Sequence, residues 1–236
     1  MRPAPLRAIG IVIPAHDEQA LIGDCLASVA RAARHPALRH VEVHVVPVLD
    51  RCSDNSGEFT TGAVEVGAGN VGVARAAGFA EVLRREAGRP PGQLWLATTD
   101  ADSTVPVDWL AEQLQLAARG AQVVAGPVRV QDWTEQPAGV RAQFTQTYGA
   151  PSLGHLHVHG ANLGLSAAAY LDVGGVPPLA LAEDQALVDA LRARASRLVA
   201  TGRIPVTTSA RRESRTTGGF ADHLRALGLV GGPEAR

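Results

Sequence analysis

Residues 93–120 read "QLWLATTDADSTVPVDWLAEQLQLAARG". The first part, "QLWLATT", is an apolar run of the length of a buried strand. The last, "PVDWLAEQLQLAARG", spaces its apolar residues as one face of a helix, with Pro106 near its start, where no amide donor is needed. Between them stand Asp100 and Asp102, separated by a single alanine. Two carboxylates at the end of a buried strand repel each other, so the turn is either fully solvated or its charges serve a ligand. At positions i and i+2 they can share one divalent cation, or one can hold the cation while the other takes a hydroxyl.

The same strand, turn and helix unit recurs on the N-terminal side. "AIGIVIP" is a β-branched run ended by Pro14, and "EQALIGDCLASVARAA" then places Leu21, Ile22, Cys25, Leu26 and Val29 at helical spacing. "VEVHVVPVL" reads as a second strand with Asp50 at its end, followed by the turn-rich "DRCSDNSGE". "GAVEVG" is a third, short strand. "NVGVARAAGFAEVLRREAG" is a helix carried by Val73, Ala77, Phe79, Ala80 and Leu83, and stopped by Gly88 and "RPPG". Beyond the opening stretch, "AQVVAGPVRV" reads as one further strand. Strands alternating with helices predict an α/β fold with a mainly parallel sheet covered by helices on both faces. Ligands of such sheets sit beyond the carboxyl ends of the strands, which is where Asp17, Asp50, Asp100 and Asp102 fall.

After about Gln131 the pattern loosens, and the stretch up to "GANLGLS" has irregular spacing. "AAAYLDVGGVPPLALAEDQALVDALRARA" holds a short helix, a Gly-Pro loop and a longer helix entered through Glu183 and Asp184. "GRIPVTTSARRESRTTGGFADHLRALGLVGGPEAR" holds one strand, an arginine-rich loop and a terminal helix. Neither repeats nor low-complexity linkers interrupt residues 1–236, so one domain is expected.

At 236 residues with 46% hydrophobic content, the chain can bury a substantial core. A formal net charge of -1 supplies no general attraction to nucleic acid or anionic membrane, so any phosphate binding must be local. Lysine is absent, and every fixed side-chain cation is an arginine, which grips phosphate as a bidentate fork. Cys25 and Cys52 form no metal-ligand or disulfide-framework spacing, in keeping with a reducing compartment. No apolar run reaches the ~18 residues of a spanning helix, and "MRPAPLRAIGIVIPAHDE" meets polar residues too early for a signal peptide. A soluble, cytoplasmic protein without a membrane span is expected.

Five stretches in order, "IGIVIPAHDE", "VVPVLDRCSDNS", "NVGVARAAGFAE", "LATTDADS" and "GANLGLSAAAYLDVGGVPPLALAEDQALVDAL", resemble the family 2 glycosyltransferases with the GT-A fold. They correspond to that family's V-I-P-x-x-N-E opening, its D-x-x-S-x-D loop, its asparagine-glycine-arginine helix, its D-x-D turn and its G-A-N, G-G and E-D series. The resemblance covers roughly Ile9 to Leu191. It implies a transferase that uses a nucleotide-diphospho-sugar and a divalent cation, Mg²⁺ or Mn²⁺, and adds the sugar to an acceptor hydroxyl. Residues up to about 130 would bind the donor, and residues from about 131 would face the acceptor.

Carried across residue by residue, the resemblance puts Pro14, Ala15 and Glu18 at the nucleoside, with Asp50 accepting a hydrogen bond from the base. Arg75 would reach the nucleotide. Asp100 and Asp102 would hold ribose and the cation bound to the diphosphate. Gly160, Ala161 and Asn162 would face the acceptor. Asp184 would remove the acceptor's proton, and Glu183 would support it or hold acceptor hydroxyls. A weakly nucleophilic hydroxyl needs such a carboxylate, and the leaving diphosphate needs positive charge. Single inversion at the anomeric carbon follows if Asp184 serves the acceptor directly. "AED" is equally an acidic first helical turn favoured by the helix dipole.

Some residues depart from the family pattern. His16 and Asp17 stand where tyrosine or another residue and asparagine are usual, and Arg51 replaces a frequent aspartate. Cys52 reads as a small filler, since nothing evident lowers its pKa. The Q-x-x-R-W segment of processive members is missing, which, with the absence of membrane spans, favours one sugar per encounter; the resemblance implies a hexosyltransferase type. Arg211, Arg212 and Arg215 resemble a late S-x-R-R segment, and are either diphosphate ligands or a solvated basic loop. His223 is a candidate late metal ligand. His155, His157 and His159 alternate as on a strand, facing either an acceptor, solvent or a zinc ion. Two other functions use related chemistry: a sugar-phosphate nucleotidyltransferase, disfavoured by the lack of a Gly-rich basic opening loop, and a non-catalytic sugar-nucleotide-binding protein, disfavoured by the intact carboxylates.

Overall fold

The computed structural model describes residues 4–148, 158–212 and 220–230. In chain order its elements begin with β1 (Ala8–Ala15), α1 (Ile22–Ala33), β2 (Glu42–Asp50), β3 (Val64–Val66), α2 (Val71–Arg85) and β4 (Leu94–Thr98). They continue with β5 (Ser103–Thr104), α3 (Trp109–Ala118), β6 (Val123–Ala125), β7 (Val128–Val130), α4 (Val140–Tyr148) and β8 (Leu163–Ser166). The last are α5 (Ala167–Asp172), α6 (Glu183–Ala193), β9 (Leu198–Ala200), β10 (Val206–Thr208) and α7 (Phe220–Val230). The central sheet has seven strands in the order β3-β2-β1-β4-β8-β6-β9, and β5-β10-β7 form a second, smaller sheet.

The period of two along β1 builds both layers. Ile9, Ile11 and Ile13 pack with Cys25 and Val29 of α1 and Trp109 and Leu110 of α3. Ala8 and Val12, on the other face, pack with Phe79 and Val82 of α2 and Leu187, Val188 and Leu191 of α6. The missing side chain of Gly10 lets α2 lie close on the sheet, since a Cβ there would fall 2.1 Å from Val82 Cγ1. Asn70 caps α2, its Oδ1 accepting from the Val73 amide at 3.0 Å.

Parallel pairing joins β1 to β2 and β4, and β2 to β3, so their carboxyl ends share one edge. The sheet is mainly parallel and helix-covered, as expected, with one inserted exception: β8 runs antiparallel between β4 and β6. The strand expected over "AQVVAGPVRV" is in fact two, β6 and β7, in different sheets. Pro127 has no amide with which to continue a ladder, and its carbonyl accepts from Asn162 Nδ2 at 2.9 Å as well as from the Val206 amide at 3.0 Å. The loosely patterned stretch contains α4 and β8, and β9 arises from "LVA", where no strand was expected. Among the described residues, no helix is long and apolar enough to cross a membrane.

Candidate active site

A cleft of about 630 Å³ opens where β1, β2 and β4 end. β1 delivers Pro14 and Ala15, and the chain then turns through Asp17, whose φ of 53° is left-handed. Asp17 does not line the cleft. Its carboxylate accepts from the Ser53 amide at 2.6 Å and the Asp54 amide at 3.1 Å, which holds its pKa down. These bonds tie the loop after β1 to the loop after β2. Glu18 follows, buried, its amide donating to Ser56 Oγ at 2.7 Å. Asp50, at the end of β2, is also buried. Its two oxygens accept from the Gly69 and Asn70 amides at 2.8 and 2.7 Å, and each keeps capacity for a further donor in the cleft that Asp50 lines. Cys52 donates to the Ala15 carbonyl at 3.4 Å, and burial pushes its thiol pKa up, in keeping with a filler.

Arg75 is the hub. Its side chain is almost fully buried, and its three nitrogens donate to three groups: Nε to Glu183 Oε1 at 3.0 Å, Nη1 to Thr98 Oγ1 at 3.1 Å, and Nη2 to Asp100 Oδ1 at 2.5 Å. Gly160 lies flat over this guanidinium, and a Cβ at 160 would come within 2.3 Å of Nη2. The Gly160 amide in turn donates to Asp184 Oδ2 at 2.6 Å, while Asp184 Oδ1 accepts from the Gln185 amide at 2.7 Å. The arginine expected to reach the nucleotide thus ties the D-x-D turn to the acidic start of α6. The residue before that start, Ala182, has φ 57°, a conformation L-residues avoid, and so holds Glu183 and Asp184 toward the cleft rather than along a regular entry to the helix.

Recess in the cleft raises the Asp100 pKa to about 6, and Asp102 and Asp184 add to the rise against the pull of Arg75. Burial raises Asp102 too, with Arg211 opposing, and Glu183 likewise, with Arg75 opposing. Asp102 Oδ1 accepts from Ser103 at 3.2 Å and Thr208 at 3.4 Å, and its Oδ2 lies 3.2 Å from Arg211 Nη2. Arg211 Nη1 donates to Glu18 Oε2 at 2.7 Å. Lining the cleft among the described residues are six carboxylates, Glu18, Asp50, Asp100, Asp102, Glu183 and Asp184, against three guanidiniums, Arg51, Arg75 and Arg211.

Asp100 and Asp102 suit a magnesium or manganese ion. They offer hard oxygen donors whose side chains are 36% and 15% exposed, and the burial that raises both pKa values is a cost that a bound cation would offset. Two protein carboxylates leave most of the coordination shell to phosphate and water, as Mg²⁺ prefers. The tighter triads elsewhere, Asp17–Cys52–Asp54 and Glu42–His44–Glu86, are committed to protein donors: backbone amides hold Asp17 and Asp54, and Arg89 pairs with Glu42 and Glu86.

Of the residues read from sequence, Pro14, Ala15, Glu18, Asp50, Arg75, Asp100, Asp102, Gly160, Ala161, Glu183, Asp184 and Arg211 come together around this cleft. Asn162 is buried behind it, accepting from Trp109 Nε1 and donating to the Pro127 and Ile204 carbonyls, so it shapes the Gly160 turn rather than facing a ligand. Arg212 is exposed, and its amide points to Glu135. His159 lines the cleft, outside any strand. His155, His157 and Arg215 lie outside the described residues, as does the side chain of His223. Thr98, Thr208 and Ser56 also hold groups of the site, and single hydroxyls in strands and turns carry no sequence signal for the partners they orient. Leu181, Phe220 and Ala221 add an apolar wall.

Residues 10–166 match the family model described as glycosyl transferase family 2, more than half of the chain. No curated protein matches the sequence. Among solved structures, TarS 1-349 of S. aureus in complex with UDP-GlcNAc aligns with a TM-score of 0.62 at 14% identity, over 94% of this chain and 66% of that one. S. aureus TarS 1-349 itself gives 0.58 at 14%, over 86% and 60%. The mannosyltransferase PcManGT from Pyrobaculum calidifontis, in complex with GDP-Man and Mn²⁺, gives 0.61 at 18%, over 97% and 64%. This chain spans less than two thirds of the length of each. At such identities the likeness is one of fold, and the fold is that of the GT-A glycosyltransferases.

Proposed function

The chain belongs to glycosyl transferase family 2, and from that premise we propose that it moves a hexosyl group from a nucleotide-diphospho-sugar to an acceptor hydroxyl, with inversion, one sugar per encounter and with Mg²⁺ or Mn²⁺. The observation that carries the reading is the charge of the cleft. Carboxylates exceed guanidiniums by three in its described lining, where an anionic diphosphate must enter, so a cation has to accompany it. That the solved neighbours bind UDP-GlcNAc and, in the other case, GDP-Man with Mn²⁺ supports a nucleotide-sugar as donor.

Asp102 and Asp100 hold the cation in this reading, and its bound charge would stabilise the diphosphate as it leaves. Asp50 and the loop at Pro14 and Ala15 receive the nucleoside. Asp184 accepts the acceptor's proton while the hydroxyl oxygen bonds to the anomeric carbon. The bond from that carbon to the diphosphate breaks, and its electron pair leaves with the nucleoside diphosphate. Glu183, held by Arg75, keeps Asp184 and Asp100 in register.

Thermal-shift screening against UDP-, GDP-, dTDP- and ADP-sugars, with and without Mn²⁺, identifies the donor, because a ligand at ~100 times its Kd stabilises by about 2.7 kcal/mol. Product analysis with the donor so found then reads transfer and anomeric configuration. Absence of stabilisation by every nucleotide-sugar overturns the reading.

A further inference from the structure

Arg211 reaches across the mouth of the cleft to two acids from distant parts of the chain, Glu18 after β1 and Asp102 after β4. Both are recessed: Glu18 is 7% exposed at its side chain and Asp102 is 15% exposed, while Arg211 itself is 20% exposed. Asp100 stands close enough to add to the field on Arg211. The guanidinium therefore sits on the carboxylate that the proposed function assigns to the cation.

We infer that Arg211 is the resident counter-ion of Asp102, so that the divalent cation and the donor's diphosphate enter as a pair, neither binding well without the other. A bare cation arriving at Asp102 must displace Nη2 while Nη1 stays anchored to Glu18, which leaves two positive groups side by side. A diphosphate arriving alone meets an arginine whose charge is already spent on two carboxylates. When both arrive, the cation takes Asp102 and the released Nη2 has phosphate oxygens to bind, so every charge keeps a partner. Glu18 is then a positioning residue that holds Arg211 at the diphosphate rather than a nucleoside ligand. The inference rests on the proposed function for the identity of the anion and for the assignment of the cation to Asp102, and the competition between cation and Arg211 is read without any nucleotide.

Manganese binding read by electron paramagnetic resonance tests it without an acceptor or turnover. For the wild type, Mn²⁺ alone should bind weakly, and saturating UDP or GDP, whichever stabilises the protein, should tighten it at least tenfold. Arg211→Gln should bind Mn²⁺ alone about tenfold more tightly than the wild type, and should lose most of the gain brought by nucleotide. Arg211→Lys, which keeps the charge and tests whether position 211 tolerates change, should stay nearer to the wild type than to Arg211→Gln. A gain under threefold for Arg211→Gln without nucleotide overturns the inference. So does an equal gain for Arg51→Gln, which removes a cleft charge not paired with Asp102. Failure of every nucleotide to bind would instead count against the proposed function, since the arms with Mn²⁺ alone read Arg211 directly.

Discussion

Asp184 and Asp100 are both held by neighbours, but by different kinds, and the difference separates their tasks. Among the described residues, Asp184 accepts from the backbone amides of Gly160 and Gln185, so its charge is oriented by neutral donors. Asp184→Asn keeps the shape and removes the basic oxygen, and should lower turnover by about 10²–10⁴ with donor affinity nearly unchanged. Calorimetry with the donor nucleotide, set beside a product assay on the same variant, checks this; wild-type turnover would pass the role to Glu183. Asp100 pairs with Arg75, yet its pKa is raised to about 6, since its recess and the carboxylates of Asp102 and Asp184 outweigh the guanidiniums of Arg75 and Arg211. A carboxyl whose pKa is higher folded than unfolded binds more protons in the folded state between about 4 and 6. Its contribution to stability is whole below that window and is lost as pH rises through about 6. In metal-free buffer, therefore, the Tm of the wild type should fall from pH 4.5 to 7 more steeply than that of Asp100→Asn. Parallel curves would show that Asp100 ionises as it does in the unfolded chain.

At the scale of elements, the cleft depends on α2 lying close against β1, because α2 carries Arg75 beneath the ends of the strands. The contact is made at Gly10, where a methyl group would meet the β-branched Val82 inside a closed layer and has no flexible neighbour to displace. Gly10→Ala should cost about 1–3 kcal/mol as overpacking, measured by urea denaturation. Combined with Val82→Ala, the loss should be smaller than the sum of the two single losses, since the second change removes the colliding methyls. Strict additivity would mean that the helix sits farther from the strand. The periodic helices and long strands were legible because their burial repeats every 3.6 or two residues. β8 and β9 were not: "LVA" shows no alternation, and the glycine inside "LGLS" weakens its reading as a strand.

For the whole molecule, the proposed function makes donor binding depend on a cation, because carboxylates outnumber guanidiniums in the described lining of the cleft. Nucleotide-sugar stabilisation should vanish in excess EDTA and return with Mn²⁺, and Asp102→Ala should lose both cation and donor binding while remaining folded. Full transfer activity in EDTA would sink the metal requirement. The α/β class, the carboxylates at strand ends and the family resemblance were all determined by the sequence itself, because hydrophobic period, turn chemistry and motif order are written within short windows. What only the tertiary structure decided is who pairs with whom. Arg75 meets Asp100 and Glu183, which lie 25 and 108 residues away along the chain, and Arg211 meets Glu18 across 193. The strand expected as one between Ala121 and Val130 divides between two sheets, with Asn162 seated at the break. Such choices follow from close approach across a packed sheet, where a guanidinium takes whichever carboxylates the fold brings to it, and no local pattern in the chain encodes that distance.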